Sequence, residues 1–158
     1  MKMNVSITDY SPAHHGAIRQ ILERIGWAEQ YVAAAERNAV EFSQNREIYG
    51  VYIATADDGS VVGFVYVQFY EWNRLAQIQG LAVDPRYQRQ GIAAELVRRA
   101  EQFARGKGAR GIYVDTPTLN RKGRDFYEAI GYCFGYEMPR YYEDELDGVT
   151  YQKFFAGD

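Results

Sequence analysis

The sequence predicts a mixed α/β fold: one central, mixed but mostly antiparallel sheet of about seven strands, flanked by about four helices. Three observations carry this prediction. The hydrophobic period switches repeatedly between helical and strand spacing, in the order βααβββαβαββ. Three runs of period two follow one another from Ile48 to Val83 with turns between them, which describes an antiparallel meander. An apolar strand ending at Val83 then re-enters a helix across Pro85 and Gly91.

Each element has a local reason. Val5 to Thr8 alternates as a first strand, and Ser11-Pro12 supplies a cap and a first-turn proline for a helix to about Ile25. Glu29 to about Gln44 is a second, Ala-rich helix. Strands follow at Ile48 to Thr55 and Val61 to Tyr70, joined by the turn Asp57-Asp58-Gly59-Ser60. Trp72-Asn73-Arg74 turns the chain into Ala76 to Val83, where the isolated Gly80 marks a bulge or a close backbone approach. After Gly91, a helix puts Ile92, Leu96, Val97, Ala100, Phe103 and Ala104 on one stripe. Gly106 to Gly111 breaks that pattern, Ile112 to Thr116 is a buried-looking strand, and Arg121 to Ile130 is a short helix. Tyr132 to Tyr136 and Val149 to Phe155 close the sheet.

Composition bounds the function. A chain of 158 residues, 47% apolar and 25% charged, suits one ordered domain over 1–158. A net charge of −3 argues against nucleic-acid or anionic-membrane partners, which reward a basic surface. Cys133 is the single cysteine, so no intrachain disulfide forms, which fits a reducing cytosol. The opening Met1 to Ser6 has no long apolar stretch, and eighteen apolar residues never run together, so a soluble cytoplasmic protein is expected. Gly106 to Gly111 spells GxGxxG, but it follows a helix and precedes a strand, the reverse of a dinucleotide site. His14 and His15 lack metal-ligand spacing, so no metal is expected. Cys133, at the start of a strand, reads as a small core residue.

The turn from Gln88 to Ala94 aims several unpaired amides at one spot, with the positive end of a helix dipole behind them. Such a turn suits a phosphate or diphosphate. The pattern Gln88-x-x-Gly91-x-Ala93, after Leu81-Ala82-Val83-Asp84-Pro85, resembles the acyl-CoA loop of the GCN5-related N-acetyltransferase (GNAT) superfamily. Asn120, followed by Phe126-Tyr127-Glu128-Ala129-Ile130-Gly131-Tyr132, is similar to that superfamily's second signature, and the resemblance covers roughly residues 4 to 155.

The resemblance implies an acetyl-CoA-dependent N-acetyltransferase that passes the acetyl group directly to a primary amine in a ternary complex. The bulge at Gly80 would splay neighbouring strands and let the pantetheine arm lie beside Leu81, Ala82 and Val83. Gln88, Arg89, Gln90, Gly91, Ile92, Ala93 and Ala94 would cradle the diphosphate, and Asn120 would orient the arm or cap a helix. One or two of Arg86, Arg89, Arg121, Lys122 and Arg124 would meet the 3′-phosphate. Tyr127 matches the residue that assists the departing thiolate. A phenol near 10 is a weaker acid than a thiol near 8.5, so full proton transfer is uphill by about 2 kcal/mol and a hydrogen bond is its main contribution.

The acceptor side is less determined by the sequence. Where the family often has a strand glutamate, this chain offers Gln77 and Gln79, so Asp115 is the first candidate for a base, through water. Its alternative is a strand-end cap on the Thr116-Pro117 turn, and Glu71 is a more distant candidate base. The substrate decides how much a base matters. A lysine-like amine pays about 4.6 kcal/mol to be neutral at pH 7, and a peptide α-amine only about 1 kcal/mol. Tyr141 and Tyr142, between the last two strands, resemble a substrate-gripping loop, and Trp27 and Tyr31 would form the facing wall. The acceptor is a protein or peptide N-terminus or a small amine, and a homodimer is in keeping with similar proteins. The alternative function is a catalytically inactive acyl-CoA-binding sensor or interaction domain.

Overall fold

Apolar residues at every second position make the strands, and those at every third or fourth make the helices that cover them. The computed structural model describes residues 4–156, so residues 1–3 of the opening and 157–158 of the expected domain lie outside the described residues. Strand β1 (Val5–Asp9) leads through a 3-10 turn at Pro12–His14 into α1 (His15–Ile25) and α2 (Glu29–Ser43). The meander is β2 (Tyr49–Ala56), β3 (Val61–Tyr70) and β4 (Leu75–Val83). Then come α3 (Ile92–Gly106), β5 (Gly111–Pro117), α4 (Arg121–Ala129), β6 (Cys133–Glu143) and β7 (Leu146–Phe154). One seven-stranded sheet runs in the order β1-β2-β3-β4-β5-β7-β6, antiparallel except where β4 meets β5. The predicted fold class is therefore the observed one.

Two hydrophobic layers hold it. On one face Ile18, Ile21 and Leu22 of α1 and Val32 of α2 pack against Val51, Ile53, Phe64 and Ala82. On the other, the α3 stripe foreseen from the sequence is buried throughout and packs on Val65, Val67 and Ile78. Each fully buried Leu or Ile contributes about 1.5–3 kcal/mol relative to exposure. These layers fix the ends of α1 and α3 at the edge of the sheet where β4 stops.

The pairing of β3 with β4 slips by one residue: Tyr66 faces Gly80 and Val67 faces Ile78, leaving Gln79 as the extra residue of a bulge. Just there β4 separates from β5. Their parallel register runs from Leu75 with Gly111 to Ile78 with Val114 and goes no further. Beyond that point β5 pairs with β7 alone, Asp115 opposite Thr150 and Pro117 opposite Gly148. A gap therefore opens between the last residues of β4 and β5, with the α3 N-terminus at its head.

Two expectations change. The strand foreseen over Tyr132 to Tyr136 continues to Glu143, so Tyr141 and Tyr142 belong to β6 and not to a free loop. Pro139 and the polar run suggest a turn, but β6 is an edge strand, where a missing N–H is tolerated. Its register breaks between Met138 and Glu143, with Arg140 left-handed at φ 58°. Cys133 is exposed and not a core residue, because it opens that edge strand rather than a central one.

Candidate active site

Gly91 sits left-handed at φ 81°, a conformation that costs an L-residue about 1–2 kcal/mol, and Arg89 adopts it too at φ 64°. Non-glycine residues in this region cluster at functional sites. Among the described residues, the amides of Gly91, Ile92, Ala93 and Ala94 donate to no protein acceptor. They form the open first turn of a 15-residue helix. Gln88 is exposed on the turn, its Nε2 donating to the carbonyl of Val83 at 3.4 Å, while Gln90 is half-buried within it.

The corner before this turn is fixed by a residue whose role the sequence does not disclose. Asp84 is 0% exposed, and its Oδ2 accepts from Arg24 Nη1 at 2.7 Å and Arg86 Nη2 at 2.9 Å. Its Oδ1 accepts from the Arg86 amide at 2.9 Å. The Arg86 side chain, then its amide, holds the carboxyl below the usual carboxylate range despite burial. Asp84 thus ties the end of α1 to the start of the turn.

The strand beside the gap presents alternate main-chain groups to it. The Asp84 amide donates to Val62 O at 2.8 Å, so by antiparallel alternation Ala82 and Gly80 also turn toward β3. Leu81 and Val83 then turn their N–H and C=O groups to the gap, where β5 no longer reaches them. Ala82, adjacent to both in the sequence, contributes no main-chain group there, and its side chain is buried under α1 and α2.

At the far side of the gap, Asn120 caps α4. Its Oδ1 accepts from the Gly123 amide at 3.1 Å and its Nδ2 donates to Thr116 Oγ1 at 2.9 Å. The capping alternative is thus the observed contact. A Cβ on Gly123 would run into the Asn120 side-chain amide, so a larger residue there would displace the cap. Tyr127, 6% exposed, packs its ring against Phe126, Tyr132 and Tyr151. Burial pushes its phenol above the ordinary tyrosine range. Its hydroxyl has no protein partner, yet it is not among the sealed orphans; within the described residues only Thr118 Oγ1 is both buried and unpartnered. The Tyr127 hydroxyl therefore keeps a face open.

Asp115 does not cap the Thr116-Pro117 turn. Its Oδ1 accepts from Thr150 Oγ1 at 2.5 Å, and its Oδ2 from Gln77 Nε2 at 3.0 Å and Tyr141 OH at 3.1 Å. A carboxylate offers about four acceptor positions, so about one stays open. Tyr142 stacks edge-on with Tyr141 at 4.9 Å. Its phenol is pushed up by burial and then by the field of Asp115. Tyr31 donates to Glu143 Oε1 at 2.8 Å. Trp27 is 39% exposed in the turn between α1 and α2. Glu71 lies in the turn after β3, away from the gap.

Of the basic residues near the two signatures, Arg86 is held by Asp84, and Arg124 donates to Tyr151 OH and Thr118 O, each at 3.0 Å. Arg121 pairs with Asp125 at 3.6 Å, while Arg89 and Lys122 have no protein acceptor among the described residues. No group of three or more His, Cys, Asp or Glu suited to a metal occurs among the described residues, and no helix there is long and apolar enough to cross a membrane.

Comparison with known proteins gives a consistent picture. The acetyltransferase (GNAT) family matches residues 16–132. Streptothricin acetyltransferase of Streptomyces lavendulae is 30% identical over 83 residues, 52% of this chain and 44% of its own. N-alpha-acetyltransferase 30 of Schizosaccharomyces pombe is 32% identical over 71 residues, 45% of this chain and 47% of its own. The chain thus spans about half the length of these two curated relatives. Among solved structures, an aminoglycoside 6'-N-acetyltransferase complexed with coenzyme A superposes with TM-score 0.82 at 18% identity, over 97% of this chain and 98% of that one. The ribosomal-protein-S18-alanine N-acetyltransferase from Escherichia coli gives TM-score 0.77 at 20% identity, over 98% and 97%. At these identities the two structures speak for the fold.

Proposed function

The chain belongs to the acetyltransferase (GNAT) family, and from that premise we propose that it is an acetyl-CoA-dependent N-acetyltransferase acting on a primary amine in a ternary complex. The observation that carries the proposal is the separation of β4 from β5, with free amides at its head. The residues present fit acetyl-CoA: unfilled amides at Gly91 to Ala94 suit a diphosphate, and the gap-facing main-chain groups of Leu81 and of Val83, whose carbonyl is shared with the Gln88 side chain, suit an amide-bearing arm. When bound, acetyl-CoA supplies an activated acetyl thioester whose thiol can leave.

The amides of Gly91 to Ala94 hold the diphosphate, aided by the α3 dipole, and Arg89 or Lys122, neither with a protein acceptor among the described residues, meets a further phosphate. Leu81 and Val83 extend their strand edge along the arm, which aligns the thioester in the gap. The acceptor nitrogen forms a bond to the acetyl carbon while the carbon–sulfur bond breaks. Asp115 receives the amine proton through water at its open acceptor position, and Tyr127 donates a hydrogen bond to the departing sulfur. The Tyr127 phenol, protonated at neutral pH and raised further by burial, carries the hydrogen that this bond needs. Trp27, Tyr31, Tyr141 and Tyr142 wall the acceptor side.

Calorimetric titration with acetyl-CoA, followed by assay of amine-dependent release of the CoA thiol, tests this. Binding that is weakened by substitution at Gly91, with turnover lowered in Asp115→Asn and Tyr127→Phe, is the expected outcome. Binding without turnover for every amine would leave the acyl-CoA-binding sensor, and absence of binding would overturn both.

A further inference from the structure

Helices α1 and α2 cover only a portion of their face of the sheet. Beyond them, β3, β4 and β5 carry Gln68, Tyr70, Gln77, Gln79, Tyr113 and Asp115 on one continuous floor. The bulge makes this possible: with Gln79 as the extra residue, both it and Gln77 reach the side that carries Gln68 and Tyr70. The floor is bonded to itself. Gln79 Nε2 donates to Gln68 Oε1 at 2.8 Å and to Gln77 Oε1 at 3.1 Å. Tyr70 OH and Tyr113 OH lie 2.8 and 3.3 Å from Gln77 Oε1, and Gln77 Nε2 donates to Asp115. Such mutual bonding fixes the amides before any ligand arrives.

Three properties of this floor bear on what it receives. It carries a single negative charge, at Asp115, and none of the six is cationic. It keeps spare polar capacity, since Gln68 Nε2 and Gln79 Oε1 have no protein partner among the described residues. It is also spanned from above. Tyr31 belongs to α2, which packs over β2, while Glu143 ends β6 on the far side of β4, β5 and β7. The 2.8 Å bond between them therefore arches across the separated strands and narrows the way out for a polypeptide.

We infer that the acceptor is a compact, polar, cationic amine bearing hydroxyl or amide groups, and that Gln68 and Gln79 read those groups while Asp115 draws the ammonium. This deepens the acetyl-transfer reading and rests on it. An apolar residue following a peptide N-terminus would cover these amides without offering them partners.

The test compares three kinds of acceptor with acetyl-CoA saturating: an aminoglycoside, a polyamine, and pentapeptides beginning with Ala or with Met-Leu. The hydroxylated aminoglycoside is expected to give the highest kcat/KM. Gln79→Leu and Gln68→Leu are each expected to raise its KM at least tenfold, with kcat altered less than threefold and acetyl-CoA affinity unchanged. Gln79→Glu, which restores an acceptor but adds charge, should recover some of the KM effect. The inference is overturned if the peptides are the better acceptors, if no compact amine is acetylated, or if both leucine variants leave KM unchanged. In each of those results acetyl-CoA would still bind, whereas loss of that binding in the unaltered protein would strike the acetyl-transfer reading itself.

Discussion

Replacing Tyr127 by Phe removes one oxygen atom, and the surroundings of that atom predict a small effect on stability and a large one on rate. The ring stays, so its packing against Tyr132 and Tyr151 is preserved. The hydroxyl has no protein partner, so nothing is left unsatisfied by its loss. The change in stability should stay within about 0.5 kcal/mol, as for substitutions that open no cavity and strand no polar group. For a chain of this size that is a shift in Tm of about 2 °C or less. Rate behaves differently. A hydrogen bond to a charged group contributes about 1.5–3 kcal/mol, and each 1.36 kcal/mol of barrier is a factor of ten. The expected fall in kcat is therefore about ten- to hundredfold, with the Kd for acetyl-CoA within about threefold of the parent, since the bond strengthens only as negative charge develops on sulfur. Thiol release followed with a chromogenic disulfide gives kcat, calorimetry gives Kd, and a thermal melt gives Tm. A melt lowered by more than about 5 °C with kcat retained would rule out this role, because the hydroxyl would then serve the fold and not the leaving group.

The same geometry makes three other changes measurable. Gly91→Val forces a branched residue into the left-handed region and should weaken acetyl-CoA at least tenfold, read by calorimetry, with the sheet intact by circular dichroism. The lowered Asp84 carboxyl stabilises the fold above its ordinary value near 3.8, and that contribution is lost as pH falls through its lower folded value. Asp84→Asn should accordingly melt earlier at pH 7 and show a flatter acid limb, and identical melts for the two proteins from pH 7 down to 3 would contradict this. On the alkaline side burial raises several phenols, Tyr141 to about 12, so their share of stability is present below the ordinary value near 10 and disappears as pH rises through the folded values. Unfolding by circular dichroism should then track tyrosinate absorbance between pH 10 and 12; full ionisation of the tyrosines with the fold retained would be the contrary result.

Local features make much of the fold readable. The α3 stripe, the strand ends at Val61, Tyr70 and Val83, and the bulge near Gly80 each follow from spacing within one segment. What escapes depends on distant partners. Asp84 reads alone as an ordinary strand-end carboxylate, and only folding brings Arg24, sixty positions away, to within 2.7 Å. Asp115 invites two local readings, and its actual donors come from Gln77, Tyr141 and Thr150 on three other strands. In the sequence Gln77 and Gln79 stand out only as a missing glutamate. Their alliance with Gln68 and Tyr70 needs the register of β3 against β4, although even-numbered alternation along β3 already puts Gln68 and Tyr70 on one side. The extension of β6 is hidden by Pro139, whose local preference for a turn yields to pairing with β7.

That last strand governs how the protein meets other chains. The outer rim of β6 has no neighbour in the sheet, and Phe134, Tyr136 and Met138 stand beside it 54%, 51% and 42% exposed. Such a rim would ordinarily invite a stranger to add itself and seed aggregation. Here the ribbon is interrupted twice, near Gly135 and again after Met138, and Pro139 withholds one donor while the left-handed Arg140 twists the next away. The same irregularity that brings Tyr141 to Asp115 therefore leaves an incoming strand no uninterrupted row to grip.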